Sequence, residues 1–144
     1  MARAARGGIV AALAALAVAA CGGDVDRDDD GELLEPTEVD VFELRVGDCL
    51  DGFAEGDEIS QVRAVPCSES HSDEIFASAE MSGGEEYPGD EAVAEFADEA
   101  CVAEFEEFVG TPWEESELDY GFLAPTESSW SEGDREVLCI VGDP

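Results

Sequence analysis

The sequence predicts an α+β domain in which a small, mostly antiparallel sheet packs against one principal amphipathic helix. Short runs with alternating apolar residues flank a single long segment whose apolar residues recur at spacings of three and four. Four cysteines within these segments predict two disulfide bonds. A chain of 144 residues has room for one such domain.

The first three strands are predicted before residue 82. Residues 39–46 form a partly alternating apolar run that ends at the turn pair Gly47-Asp48. A second strand is predicted at 61–67 and a third at 74–81. Four apolar residues of the third strand recur at period two and are expected to share one face: Ile75, Ala77, Ala79 and Met81.

The apolar period then changes to that of a helix. Asp90 is the predicted N-cap, and Gly110 and Pro112 are expected to end the helix. Its apolar stripe consists of Val93, Phe96, Ala97, Ala100, Cys101, Phe105, Phe108 and Val109. Two further strands are predicted at 119–124 and 136–141. The second of these is apolar on both faces, as expected for an inner strand covered by a helix.

Two disulfide bonds are expected among the four cysteines Cys49, Cys67, Cys101 and Cys139. An even number of cysteines in a small exported domain is typical of a disulfide framework. Three pairings are possible, and we favour Cys49–Cys67 with Cys101–Cys139 because neighbouring segments usually pack together. A zinc site is the competing use of four cysteines, but the sequence has no CxxC spacing.

Residues 1–20 are predicted to be a lipoprotein signal peptide. A start with two arginines is followed by twelve apolar residues, which are too few to cross ~30 Å of hydrocarbon as a helix. The stretch Val18-Ala19-Ala20-Cys21 resembles the lipobox of bacterial lipoproteins. We therefore expect cleavage before Cys21 and lipidation of that residue; an ordinary secretory signal with an incidental cysteine is the alternative.

Residues 21–38 are predicted to be a lipidated acidic tether that precedes the domain at 39–144. The segment carries many acids and few apolar residues, so it is not expected to fold alone. Fully extended, it would hold the domain up to ~50 Å from the lipid. Its residues 26–31 match the first half of a calcium loop, but the twelfth place is Thr37 instead of glutamate. No metal ligand is therefore predicted.

The charge of the chain excludes several partners. It has 38 acidic residues and six arginines with no lysine, and removal of residues 1–20 would leave four arginines and a formal charge of −34. Such a surface repels phosphates and anionic headgroups, so no nucleic acid is expected to bind. The membrane contact is expected to come from the lipid on Cys21.

No catalytic residue and no cofactor are predicted. His71 is the single histidine and lies among serines and acids, but neighbouring residues of one loop rarely reach the geometry of a catalytic triad. We expect His71 to make a structural hydrogen bond to its loop or to Glu74. Pairs of acids such as Glu85-Glu86 are unavoidable in so acidic a chain and do not indicate glycoside hydrolysis.

An ordered set of residues carries a family resemblance: Val46-Gly47-Asp48-Cys49-Leu50, Val65-Pro66-Cys67, His71, Glu74, Cys101, Pro125, Trp130, Gly133-Asp134-Arg135 and Cys139. Over residues 41–141 the chain resembles the septum formation-related domain of actinobacterial membrane proteins and lipoproteins. The resemblance implies an extracytoplasmic, disulfide-held domain with an envelope or division role, and it defines no catalytic residue.

Taken together, these features lead us to expect a non-enzymatic module, lipid-anchored to the outer face of the cell membrane, that binds an unidentified envelope or division protein. A cation- or solute-binding lipoprotein is the alternative. Within the motif, Trp130 is expected in the core or against a disulfide, and Arg135 is expected to neutralise buried acids.

Replacing Cys21 with serine is expected to release the protein from the membrane fraction, because no other apolar segment of the cleaved chain could hold it there. Cell fractionation followed by immunoblotting measures this. A protein that stays in the membrane fraction after signal cleavage would contradict the lipid assignment.

Overall fold

The computed structural model describes residues 25–53 and 59–144, which form a six-stranded antiparallel sheet with one long helix. The strands are β1 Thr37–Asp40, β2 Cys49–Leu50, β3 Gln61–Val65, β4 Asp73–Glu80, β5 Asp119–Leu123 and β6 Glu136–Gly142. The helices are α1 Asp90–Val109 and α2 Glu127–Ser131, with 3-10 turns at Val41–Glu43 and Trp113–Glu115. The sheet order is β1-β3-β2-β4-β6-β5. The predicted α+β fold is confirmed.

Strand β6 separates two hydrophobic clusters. The inner cluster contains Leu33, Val39, Leu44, Leu50, Val62, Ala64, Ile75, Leu138 and Ile140. The helix-side cluster contains Phe76, Ala97, Cys101, Phe105, Val137, Cys139 and Val141. Because successive side chains of a strand point to opposite faces, β6 supplies residues to both clusters, as the apolar run at 136–141 predicts.

A β-bulge in β4 breaks the shared face predicted for that strand. Ile75 pairs with Ile140 and Ala77 pairs with Cys139, so Phe76 is the extra residue. Ile75 lies in the inner cluster, whereas Phe76 and Ala77 belong to the helix side. The prediction of one common face was wrong, because the extra residue places Phe76 and Ala77 on the same side of the sheet, so Ile75 and Ala77, two positions apart, face opposite sides.

Helix α1 faces the sheet with four buried residues spaced by four: Val93, Ala97, Cys101 and Phe105. The N-cap is Gly89 and not Asp90, whose carboxylate instead accepts a hydrogen bond from the Tyr87 hydroxyl. Gly110 ends the helix in a left-handed conformation, as predicted, and its N–H donates to Glu106 O. Phe108, from the predicted stripe, is 47% exposed.

Both favoured disulfides are present. Cys49–Cys67 ties β2 to the loop after β3, and Cys101–Cys139 ties α1 to β6. They close segments with sequence separations of 18 and 38 residues. In the chain-entropy description, each bond stabilises the fold by roughly 3 to 4 kcal/mol.

Strand β1 is shorter than the predicted run at 39–46. It ends at Asp40, whose side chain caps the following 3-10 turn by accepting from Phe42 N. Phe42 and Val46 are therefore exposed instead of alternating into the core. The two-residue strand β2 and the short helix α2 were not predicted, because each is too short to show a hydrophobic period.

Part of the predicted tether packs onto the domain. Leu33 is 4% exposed within the inner cluster, and Arg27 forms an isolated β-bridge with Leu33. The Arg27 guanidinium also makes two hydrogen bonds to the Asp48 carboxylate. The predicted tether boundary at residue 38 is therefore corrected. Residues 25–36 pack on the domain, which supplies the buried surface that this segment could not form alone. The predicted signal peptide and Cys21 lie outside the described residues.

Trp130 of α2 is the centre of a group of side-chain contacts next to β6. Its ring is 2% exposed, Arg135 lies 3.5 Å above the ring centroid, and its Nε1 donates to Gly84 O. Tyr87 packs edge-on against the ring, and desolvation together with the hydrogen bond to Asp90 raises the pKa of Tyr87 to about 12. The core position expected for Trp130 is confirmed.

Replacing Gly83 with alanine is expected to destabilise the fold by about 1 to 3 kcal/mol. A Cβ at Gly83 would lie 2.7 Å from Cζ2 of the buried Trp130 ring, whereas a Cβ at the neighbouring Gly84 would meet nothing within 4 Å. Gly84→Ala is the matched control and should change the free energy of unfolding by less than about 0.5 kcal/mol. Urea unfolding of both variants measures the difference, and equal effects would contradict the close packing of Gly83 on Trp130.

Added salt is expected to raise the melting temperature of the mature protein by about 5 °C or more between ~0.1 M and ~1 M sodium chloride. Two ion pairs occur among the described residues, Arg27–Asp48 and Arg63–Asp51, so most carboxylates lack a cationic partner. Screening weakens their mutual repulsion, and potassium should act like sodium. A melting temperature that does not respond to salt in calorimetry would contradict this account.

Candidate functional site

The loop between β3 and β4 holds His71 in a structural contact. His71 Nδ1 lies 2.9 Å from the Glu69 carbonyl oxygen. The Ser72 hydroxyl donates instead to the Asp73 carboxylate and accepts from Gly52 N at 2.8 Å. Among the described residues, no hydrogen bond joins His71 to a serine hydroxyl. The structure therefore does not bring a catalytic triad together in this loop.

His71 of this loop belongs to a group of potential metal ligands that also includes one residue of β2 and one of β4. Cys49, His71 and Glu74 offer atoms that all lie within 4.8 Å of one another, and no other such group of three occurs in residues 25–53 and 59–144. However, the sulfur of Cys49 is bonded to Cys67 and has no thiolate to offer. The two remaining side chains fall short of the three protein ligands of a typical zinc site.

The half calcium loop forms a tight turn stabilised by its own backbone. Asp28 Oδ1 accepts from the N–H groups of Asp30 and Glu32, both at 2.9 Å. The Asp28 N–H donates a hydrogen bond to the Glu32 carbonyl oxygen, and the Asp28 carbonyl oxygen accepts one from the Gly31 N–H. The Asp28 carboxylate thus caps amides within the turn, and these contacts give Asp28 a structural role.

Asp48 is the one buried polar or charged residue among those that the structure describes. Its carboxylate binds Arg27 through both oxygens and accepts from Arg45 N at 2.9 Å. The hydrogen bonds that Arg27 donates to Asp48 and the charge of the carboxylate raise the pKa of Arg27, against the lowering effect of desolvation. Sequence reasoning assigned this neutralising role to Arg135, which binds backbone carbonyls of Trp130 and Gly84 instead.

An open groove of about 660 Å³ lies between the two ends of the curled sheet. One wall is built by the end of β1, its 3-10 turn and the two residues that precede β3. The other wall is built by the end of β5, helix α2 and the start of β6. Leu138 of the inner cluster reaches the floor, and Phe53 and Ile59 pack on that cluster beside it. We call this cavity the edge groove, because β1 and β5 are the two edge strands.

The edge groove combines apolar and acidic groups. Phe42, at its mouth, is 68% exposed, the largest exposed fraction among the large hydrophobic side chains of the described residues. Among the described residues, four carboxylates and no arginine line the groove: Asp40, Glu132, Asp134 and Glu136. Such a surface suits a ligand that is apolar along its length and carries positive charge.

Sequence reasoning missed the edge groove. Its two walls come from residues about eighty positions apart, and its four acids are hidden among the 38 acids of the chain. The single local signal is Phe42, a large apolar residue next to Val41 that breaks the alternation of a strand.

Comparison with known proteins gives one match. No curated protein and no solved structure is significantly similar to the chain. The profile of the family described as Septum formation matches residues 46–143, more than half of the sequence. The matched region includes both disulfides, helix α1, the Trp130 contacts and one wall of the edge groove. The chain therefore belongs to the septum formation family.

Proposed function

We propose that this protein is a lipid-anchored, non-enzymatic module on the outer face of the cell membrane that serves septum formation by binding a protein partner. The observation that carries the proposal is membership of the septum formation family across residues 46–143. The lipobox-like sequence that ends at Cys21 supplies the proposed attachment.

The N-terminal contacts of the domain support a position close to the membrane. Within the described ranges, no helix has the length and apolar character needed to cross a bilayer. Arg27 is held on Asp48 and is the sixth residue after Cys21 in the sequence. Six residues of extended chain reach at most ~20 Å, so a lipid on Cys21 would keep the domain close to the headgroups.

The contacts of the motif residues support a binding module over an enzyme. Trp130 and Arg135 stack on each other, Asp48 binds Arg27, and the cysteines form disulfides. These residues are engaged in holding the fold, which leaves the edge groove as the surface where a partner fits best.

Fluorescence imaging of a tagged copy tests the proposed function. We expect the wild-type protein to concentrate at division septa, and a deletion strain to show misplaced or delayed septa. The Cys21→Ser variant, expressed at the same level, is the matched control and should fail to restore normal septa because it lacks the anchor. A uniform membrane distribution together with normal septa in the deletion strain would contradict the septal role.

A further inference from the structure

We propose that the edge groove binds an extended segment of a partner protein in which apolar side chains alternate with lysine or arginine. This inference rests on the proposed function and names the chemistry of the partner. Within the described part of the chain, the juxtaposition that carries it is an apolar floor at Leu138, an exposed aromatic at Phe42 and a rim with four carboxylates and no cation.

The apolar groove floor would bind the apolar side chains of the partner. Leu138 belongs to the inner cluster, and Val41, Phe53, Ile59 and Leu123 pack partly buried against that cluster while lining the groove. Side chains placed there would extend the core of the domain, and they would cover Phe42, which solvent otherwise reaches. Apolar burial supplies the affinity in this arrangement.

The flanking edge strands favour an extended partner. Strand β1 pairs with β3 alone, and β5 pairs with β6 alone, within the described part of the chain. Each therefore has one backbone side without a strand partner in that part of the chain, and residues of both strands line the groove. An extended peptide that adds as a strand would form hydrogen bonds with the unpaired N–H and C=O groups of an edge strand. Its alternate side chains would point to opposite faces of the sheet.

The rim acids select the charge of the partner. Asp40 and Asp134 are engaged in local hydrogen bonds with Phe42 N and with Ser129. By contrast, no hydrogen bond or ion pair in the described residues involves the exposed side chains of Glu132 and Glu136. These two carboxylates can pair with a cation without giving up a contact within the domain.

Charge excludes two other occupants. A second copy of this chain would bring 38 acids against six arginines to the same rim. An anionic lipid headgroup would be repelled in the same way. A cationic, apolar protein segment is the occupant whose charge and polarity both match.

Peptide binding to the full-length protein, purified from its native membranes, tests the proposal. The probe is a fluorescein-labelled ten-residue peptide of alternating leucine and arginine, followed by fluorescence anisotropy at about 0.15 M salt. We expect saturable binding of this peptide. Peptides with glutamate in place of arginine, or with serine in place of leucine, should bind at least roughly tenfold more weakly.

Two pairs of matched variants locate the binding site. The double variant Glu132→Gln, Glu136→Gln should weaken binding roughly fivefold. The control double variant Glu106→Gln, Glu107→Gln removes the same charge from the exposed side of α1 and should change binding less than about twofold. Phe42→Ala should weaken binding about fivefold, and Phe108→Ala, another exposed phenylalanine, should not. Thermal unfolding confirms that each variant is folded.

Several results would overturn the groove assignment. Equal weakening by the two double variants would show that diffuse charge causes the binding. Equal binding of the leucine and serine peptides would show that the apolar floor does not contribute to it. A stable dimer in sedimentation would assign the groove to a second copy. The septal role is judged separately: groove variants that lose the peptide while the cells divide normally would keep the groove and reject the proposed function.

Discussion

Strand β6 is the constraint on which the rest of the structure depends. Five consecutive residues, 137–141, are buried, and they alternate between the inner cluster and the helix-side cluster. Strands β4 and β5 pair with β6 on either side, and Cys139 bonds α1 to it through Cys101. Burying such side chains stabilises the fold by about 1.5 to 3 kcal/mol each, so both layers of the domain are positioned by this strand.

The acidity of the chain makes covalent and apolar interactions the main sources of stability. Surface carboxylates far outnumber the arginines, and the exposed pair Arg63–Asp51, at 3.5 Å, contributes little. The two disulfides lower the conformational entropy of the unfolded chain, and this stabilisation of the fold offsets part of the charge repulsion. Within the described residues, the one buried carboxylate, Asp48, is bound by Arg27 and by a backbone amide, which satisfies a charge that would otherwise be costly to bury.

The Arg27–Asp48 contact also links the fold to the proposed membrane attachment. It holds the segment before β1 on the domain, next to the inner cluster that Leu33 joins. The edge groove opens onto that same cluster from between the edge strands. An anchored domain built in this way would present an acidic, partly apolar groove near the membrane, where exposed segments of other envelope proteins could reach it.

The sequence by itself determined the α+β class, the long helix and the family, and among three possible disulfide pairings it favoured the one that the structure shows. Each depends on a local pattern, such as the four-residue spacing on α1, the two-sided apolar run at 136–141, or cysteines in neighbouring segments. Tertiary structure decided the bulge at Phe76, the burial of Leu33 and the partner of Asp48, because each is set by contacts between distant segments. The edge groove belongs to this second group: its walls meet only when the sheet curls, and no local period in the sequence records how far apart the two edges of a sheet will lie.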